Sequence, residues 1–186
     1  MPLADRDDDE LMLLVGGGSR EAFNELIRRH RPRALGVAMR YLKSSGPAHD
    51  AVQNTFLDIY RSAARYRPRG SFPSFLYRAL LNQCHMARRA ARSEERLLAA
   101  AAAREPAARL ATETLEDRIL ADEQDRRVQR ALDQLSEKLR GPVVLRYAAD
   151  LSYQEIAEVL DIPLGTAKRR LFDALEKLRA LLVEES

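Results

Sequence analysis

The 186-residue sequence has no tryptophan, few aromatic residues and one cysteine. The single thiol, Cys84, cannot form an internal disulfide, which excludes a small secreted fold held together by disulfides. Apart from the adjacent Cys84-His85 pair, the thiol and the three histidines lack metal-ligand spacing. We therefore expect no bound metal ion and no cofactor.

Long apolar runs are also missing. The longest aliphatic stretch, residues 97–103, is far shorter than the roughly 20 residues needed to span a bilayer. Residues 1–10 are acidic, whereas a secretory signal begins with basic residues and continues into an apolar core. We expect a cytoplasmic protein without direct membrane insertion.

The period-two alternation of β-strands does not occur, and apolar residues recur instead at i, i+3 and i+4. This spacing predicts an all-α fold. Turn-forming clusters at residues 16–18, 44–47 and 67–70 divide the first half into about four helices. We predict two small helical domains, residues 1–93 and 116–186, joined by a linker at 94–115 that is rich in Ala, Arg and Glu.

Charge is distributed unevenly along the chain. Residues 1–93 carry 16 basic and 9 acidic side chains, whereas residues 94–186 carry 15 and 19. The formal charges are therefore about +7 and −4, which predicts an anion-binding N-terminal module.

Residues 59–93 contain no Asp or Glu but eight arginines, interleaved with five aromatic residues. Cations bind phosphates and flat rings stack on unpaired bases, so the segment predicts binding of single-stranded nucleic acid. An alternative remains open for individual residues: Phe75, Tyr77 and Leu81 could belong to the core. The arginines are Arg61, Arg65, Arg67, Arg69, Arg78, Arg88, Arg89 and Arg92, and the aromatic residues are Tyr60, Tyr66, Phe72, Phe75 and Tyr77.

A helix-turn-helix is predicted near the C-terminus. Ser152 and Glu155 have the spacing of a capping box, and the following turn falls at Asp161-Ile162. Pro163 suits the first turn of the second helix. We expect that helix to bury Leu164, Ala167, Leu171, Leu175 and Leu178 and to direct Thr166, Lys168, Arg169 and Asp173 outward. Helix pairs of this shape also occur in ordinary bundles, but the basic cluster Lys168-Arg169-Arg170 favours DNA readout.

Three segments together resemble the extracytoplasmic-function sigma factors of bacterial RNA polymerase, from about Asp9 to Leu182. These segments are residues 50–56, residues 72–82, and residues 151–157 together with 162–168. The resemblance implies a polymerase-docking helix with Asp50, Gln53 and Phe56, whose partner is the β′ coiled coil of core polymerase. Asp161 replaces the usual turn glycine and Phe75 a usual tryptophan. Asp tolerates the left-handed conformation better than most residues, and Phe keeps a stacking face.

The resemblance further implies one surface for the melted minus-ten strand and another for the minus-thirty-five duplex. Candidate minus-ten residues are Arg61, Arg65, Tyr66, Phe72, Phe75, Arg78, Asn82, Arg88 and Arg89. Candidate minus-thirty-five residues are Thr166, Lys168, Arg169, Arg170 and Asp173.

The function expected is that of a sigma factor, which binds core RNA polymerase through its β′ and β subunits and recognises and melts promoter DNA. Family members are commonly silenced by an anti-sigma protein, which is therefore a candidate partner. No catalytic constellation is recognisable, so we expect no enzyme activity. Two alternatives remain: a conventional helix-turn-helix regulator acting without polymerase docking, and an RNA-binding adaptor that uses the same stacking residues.

Overall fold

A computed structural model describes residues 2–42, 44–68, 71–102 and 123–184. Within these ranges all regular structure is helical, as predicted. Short 3₁₀ turns lie at Leu3–Asp5 and Ala63–Arg65. The α-helices are α1 (Asp8–Gly16), α2 (Arg20–Leu42), α3 (Ser45–Ser62), α4 (Phe72–Ala102), α5 (Glu123–Asp133), α6 (Glu137–Tyr147), α7 (Tyr153–Leu160) and α8 (Leu164–Glu184).

Helices α1 to α4 form the N-terminal module. Its centre is built from large side chains with at most 1% exposure, among them Leu26, Ile59, Phe72 and Leu80. A capping box starts α1: Glu10 N–H donates to the Asp7 carboxylate at 2.7 Å, and Asp7 N–H donates back to Glu10 at 3.3 Å. Because α1 begins with this cap, its apolar face is fixed against α2.

Two glycines shape the exit from α1. A Cβ at Gly16 would lie 2.8 Å from the carbonyl oxygen of Ala63, so only glycine permits the 3₁₀ turn to pack this closely. Gly18 has φ 98°, a left-handed conformation that side chains disfavour. Ser19 then caps the N-terminus of α2, where its hydroxyl accepts a hydrogen bond from Ala22 N–H at 3.2 Å.

Helix α4 is longer than the predicted domain boundary suggests, because it continues through residues 94–102. These residues are Glu, Arg, Leu and Ala, all strong helix formers, so nothing in the sequence stops the helix at Ser93. The remainder of the predicted linker, residues 103–115, lies outside the described residues. No helix among the described residues is long and apolar enough to cross a membrane.

Helices α5 to α8 form the C-terminal module around Leu145, Ile156, Ala167 and Ala174. Buried Arg140 joins α5 to α6: its guanidinium donates to the carbonyl oxygens of Leu132 at 2.9 Å and Asp133 at 3.0 Å. These are orphan carbonyls at the end of α5, so Arg140 acts as the C-terminal cap of that helix.

The two modules lie against each other. Helix α4 packs on α7, and α2 packs on α6. At the second contact, a Cβ at Gly141 would lie 3.2 Å from the Tyr41 hydroxyl, so the two helices approach closely. The sequence analysis did not predict this arrangement.

Candidate nucleic-acid interface

A cavity of about 470 Å³ opens where the end of α3, the following turn and the first turns of α4 meet. Its volume lies within the roughly 300–1,000 Å³ of small-ligand pockets. Arginine and aromatic side chains dominate the walls, and one carboxylate comes from α7. The lining residues are Ser62, Arg65, Tyr66, Arg67, Ser74, Phe75, Arg78 and Glu158.

The three candidate aromatic residues differ in exposure. Phe72 is 1% exposed and Tyr66 is 7% exposed, whereas Phe75 is half-buried. The Phe75 ring lies 5.2 Å from the Tyr66 ring, and the Tyr66 hydroxyl donates to the carboxylate of Asp9 on α1. Burial, reinforced by Asp9, raises the pKa of Tyr66. Phe75 is therefore the ring most available for stacking, while Phe72 and Tyr66 support it from the core.

The alternative that these residues are core residues is correct for Tyr77 and Leu81, which are 1% and 4% exposed. Burial raises the pKa of Tyr77 to about 12. For Phe75 both interpretations hold in part, because its ring packs on Tyr66 and also lines the cavity.

Three arginines of residues 59–93 form ion pairs with acidic side chains from outside this segment. Arg88 lies 2.9 Å and Arg92 3.8 Å from the carboxylate of Glu137 on α6. Arg61 lies 3.7 Å from the carboxylate of Asp58, the residue that directly precedes residues 59–93. Although residues 59–93 contain no Asp or Glu, these three arginines therefore have acidic partners from outside the segment. Arg61, Arg65, Arg78, Asn82 and Arg89 remain exposed, and Arg69 lies outside the described residues.

The predicted polymerase-docking residues lie on two different faces of α3, one exposed and one buried. Asp50 and Gln53 are exposed, but Phe56 is only 5% exposed and packs edge-on against Phe23 at 6.3 Å. Phe56 lies in the core because it continues the buried stripe of α3. The exposed face that begins at Asp50 and Gln53 continues instead through Leu57 and Tyr60, each 40% exposed. The sequence analysis did not assign these two residues to docking, although they follow Gln53 at the i+4 and i+7 spacing of one helix face.

The helix-turn-helix forms as the local sequence predicts. Ser152 caps α7, since its hydroxyl accepts from Glu155 N–H at 3.2 Å and the Glu155 carboxylate accepts from Ser152 N–H at 2.9 Å. Asp161 has φ 51°, which confirms the left-handed turn. One prediction for α8 is wrong: Leu164 is 41% exposed. It is the first residue of its helix, so no preceding turn covers it.

The outer face of α8 carries the predicted reading residues. Lys168, Arg169 and Asp173 are exposed, and Arg169 lies 3.8 Å from the Asp173 carboxylate, which offsets part of its charge. Thr166 and Arg170 are half-exposed. The same face also presents Phe172, which is 64% exposed and was missed because a phenylalanine in a helix is usually assigned to the core.

Tyr153, the first residue of α7, brings two cations together. The Arg146 guanidinium lies 5.6 Å and the Lys168 ammonium 5.9 Å from the centre of its ring. Both distances allow cation–π attraction. Arg146 is further fixed by donating to the carbonyl oxygen of Leu151 at 2.8 Å. Helices α6, α7 and α8 thus contribute to one positively charged edge of the module.

Comparisons with known proteins agree with this architecture. The Sigma-70 region 2 family matches residues 26–94, and the Sigma-70 region 4 family matches residues 125–178. Region 2 thus coincides with helices around the arginine-lined cavity, and region 4 contains the helix-turn-helix. Together these regions define a sigma factor, the subunit that directs RNA polymerase to promoters.

Relatives that match over nearly the whole chain identify the class of sigma factor. The RNA polymerase sigma-H factor of Pseudomonas aeruginosa is 30% identical, with 95% of this chain and 94% of that protein covered. The ECF RNA polymerase sigma-E factor of Haemophilus influenzae is 32% identical, with 92% and 93% covered. The chain belongs to the extracytoplasmic-function (ECF) sigma factors.

Solved structures show the same fold. CnrH, in complex with the cytosolic domain of CnrY, superposes with a TM-score of 0.73 at 25% identity, covering 96% of this chain and 99% of that one. The sigma factor RpoE from Bartonella quintana, in complex with the anti-sigma factor NepR, superposes with a TM-score of 0.63 at 19% identity, covering 86% and 96%. The chain is therefore a sigma factor for promoter-specific initiation, and the conventional-regulator alternative is not favoured.

Proposed function

We propose that three separate surfaces of this sigma factor perform its three tasks. The face of α3 docks on the β′ coiled coil of core polymerase, the arginine-lined cavity holds the melted minus-ten strand, and α8 reads the minus-thirty-five duplex. The β subunit contacts other parts of the chain, and polymerase supplies the catalysis. The observation that carries this assignment is the cavity, because its cations and half-buried Phe75 ring are what an unpaired nucleotide requires.

Docking is assigned to Asp50 and Gln53, with Leu57 and Tyr60 as apolar contacts on the same face. Charged or polar groups around exposed apolar side chains are the usual composition of a specific protein interface. Phe56 acts indirectly, since its ring fixes α3 against α2 through Phe23.

In-vitro transcription with bacterial core polymerase on a pool of promoter fragments tests the docking role. We expect transcripts that require the protein and that are weakened at least tenfold by the Asp50→Ala, Gln53→Ala variant. Glu94→Ala, Glu95→Ala changes two exposed residues of α4 and is the matched control, with transcription expected to stay near the parent level. Normal transcription by the Asp50, Gln53 variant would refute the docking assignment.

Duplex readout is assigned to the outer face of α8, where Phe172 stands one turn from Lys168 and Arg169. Lys and Arg match the acceptors of guanine, and an exposed phenylalanine ring makes apolar contact with the methyl group of thymine. The positive edge formed by Arg146, Tyr153 and Lys168 contacts the neighbouring phosphates.

Substitution of Phe172 separates base reading from phosphate binding. Phe172→Ala is expected to lose about fourfold in affinity for a thymine-containing site, since burial of one methyl-sized group contributes about 0.8 kcal/mol. The loss should disappear when each thymine of the site is replaced by uracil, which lacks the methyl group. Equal losses on thymine and uracil sites would contradict a methyl contact by Phe172.

The same surfaces could also bind an inhibitory protein. An anti-sigma protein that covers either the α3 face or the DNA-binding cavity would silence the chain. RpoE is in complex with the anti-sigma factor NepR, and CnrH with the cytosolic domain of CnrY. We place the protein in the cytoplasm, where core polymerase and promoter DNA are found.

A further inference from the structure

Acidic side chains of the C-terminal module contact basic side chains of the N-terminal module. Glu137 of α6 meets Arg88 at 2.9 Å, and Asp150 meets Arg33 at 3.7 Å. Arg78 donates to the backbone carbonyl oxygen of Glu158 on α7. The opposite net charges of the two halves are therefore brought into contact in the folded chain.

One carboxylate of α7, that of Glu158, lines the cavity, and a second, that of Glu155, bonds to Ser71 beside it. Ser71 Oγ donates to Glu155 Oε1 at 3.1 Å, and Ser74 Oγ donates to Glu158 Oε2 at 2.9 Å. Glu158 also lines the cavity together with Phe75. Hydroxyl donors beside arginines form the kind of donor set that binds a phosphate oxygen, so the two carboxylates occupy a position suited to the DNA backbone.

Burial and hydrogen bonding both act on Glu155. Burial works to raise its pKa, but hydrogen bonds from Ser152 and Ser71 outweigh this and keep the pKa below its ordinary value. Glu155 is therefore charged at neutral pH, as a substitute for phosphate must be.

The contact of α7 with the cavity is supported elsewhere along the module boundary. Arg40 of α2 pairs with Asp125 of α5, and Gln129 donates to the carbonyl oxygen of Arg40 at 3.2 Å. Gly141 of α6 also packs closely against Tyr41 of α2. The modules are thus joined at several points rather than by one surface ion pair.

We infer that the free chain masks its own single-strand site: Glu155 and Glu158 of the duplex-reading module occupy the backbone position of the minus-ten strand. Single-stranded DNA and α7 then compete for Ser71, Ser74 and Arg78. Binding of the single strand requires the modules to separate, which polymerase accomplishes by holding them apart. This inference rests on the proposed role of the cavity in holding DNA.

Neutralising the two carboxylates tests the masking directly. The Glu155→Gln, Glu158→Gln variant keeps the cap of α7, because glutamine also serves in a capping box. The free protein would be titrated with a fluorescent single-stranded DNA oligonucleotide. We expect the variant to bind about tenfold more tightly than the parent, since hydrogen bonds to charged groups are among the stronger ones in proteins.

The matched control is Glu94→Gln, Glu95→Gln, which removes the same charge from an exposed part of α4. Its affinity should change less than twofold, which separates masking from a general effect of net charge. Equal binding by parent and Glu155, Glu158 variant, or absence of binding by both, overturns the inference.

A cross-link provides a second test that leaves the cavity unchanged. Arg40→Cys and Asp125→Cys place thiols on opposite sides of the boundary, where a short bismaleimide would join them. Native Cys84 does not interfere, because it is fully buried and burial raises its pKa to about 12. The cross-linked protein should lose binding to the oligonucleotide relative to the same variant without linker; undiminished binding overturns the inference.

Failure of masking and failure of the proposed function give different results. If Phe75→Leu weakens promoter melting in holoenzyme while the Glu155, Glu158 variant binds DNA like the parent, the cavity holds DNA but is not masked. If Phe75→Leu melts promoters normally, the proposal that the cavity holds DNA is wrong, and the masking inference fails with it.

Discussion

Loss of the flat ring at Phe75 should weaken promoter melting without unfolding the protein. The ring is half-buried against Tyr66 at 5.2 Å and Phe72 at 6.4 Å, and both neighbours are themselves buried. One ring is therefore available, and it can stack on one base. Stacking of a base on an aromatic side chain is worth roughly 1–3 kcal/mol, which corresponds to about a 30-fold loss at the middle of that range.

Phe75→Leu is the informative substitution, because leucine retains an apolar contact with Tyr66 but offers no flat face. Holoenzyme would be formed with bacterial core polymerase, and unpaired thymines in the promoter would be detected by permanganate. We expect a reduction in melting of about 30-fold at limiting holoenzyme. Anisotropy of a labelled minus-ten strand oligonucleotide gives the affinity directly.

Phe75→Tyr is the matched control, since tyrosine keeps the ring and should stay within about threefold of the parent. The thermal midpoint of each variant shows whether the fold is retained. Melting and oligonucleotide affinity of Phe75→Leu within twofold of the parent would refute stacking at this position.

Three further predictions concern stability. Gly18→Ala should lower the free energy of unfolding by about 1 kcal/mol in urea denaturation, because alanine is strained at φ 98°. Arg140→Met should lower it by about 3 kcal/mol, since two buried carbonyl oxygens lose their donor; an unchanged urea midpoint would contradict the capping role. Hydrogen bonds from Arg28 and Arg29 lower the pKa of Glu25 to about 2. The stabilising contribution of ionised Glu25 is present above the ordinary pKa of 4.5 and is lost as pH falls towards 2. The thermal midpoint of Glu25→Gln should therefore depend less on pH in this interval than that of the parent.

Local features of this fold were predictable from sequence because their causes lie within a few residues. The cap at Ser152 and Glu155, and the left-handed Asp161, depend on neighbours along the chain. The helical class follows from the spacing of apolar residues, which each helix carries by itself.

Side-chain exposure at the candidate site was less predictable. Phe56 and Phe72 are of a residue type that suits binding, but both are buried because other helices pack over them. Leu57 and Phe172 are of residue types typical of cores, yet both are exposed. Exposure depends on which helices meet in space, and the same holds for Glu137, whose contact with Arg88 joins residues far apart in sequence.

Separation of the two modules need not disturb either DNA-binding surface. The carboxylate of Glu155 has two sets of partners: Ser152, within its own helix, and Ser71, in the other module. When α7 leaves the cavity, only the bond to Ser71 is lost, so the cap persists and the duplex-reading helix keeps its orientation. Polymerase that holds the modules apart therefore exposes the cavity while leaving the reader folded. On the proposed assignment of the surfaces, we expect each to bind its part of the promoter at the effective concentration set by the other, so that tight binding arises only in the assembled holoenzyme.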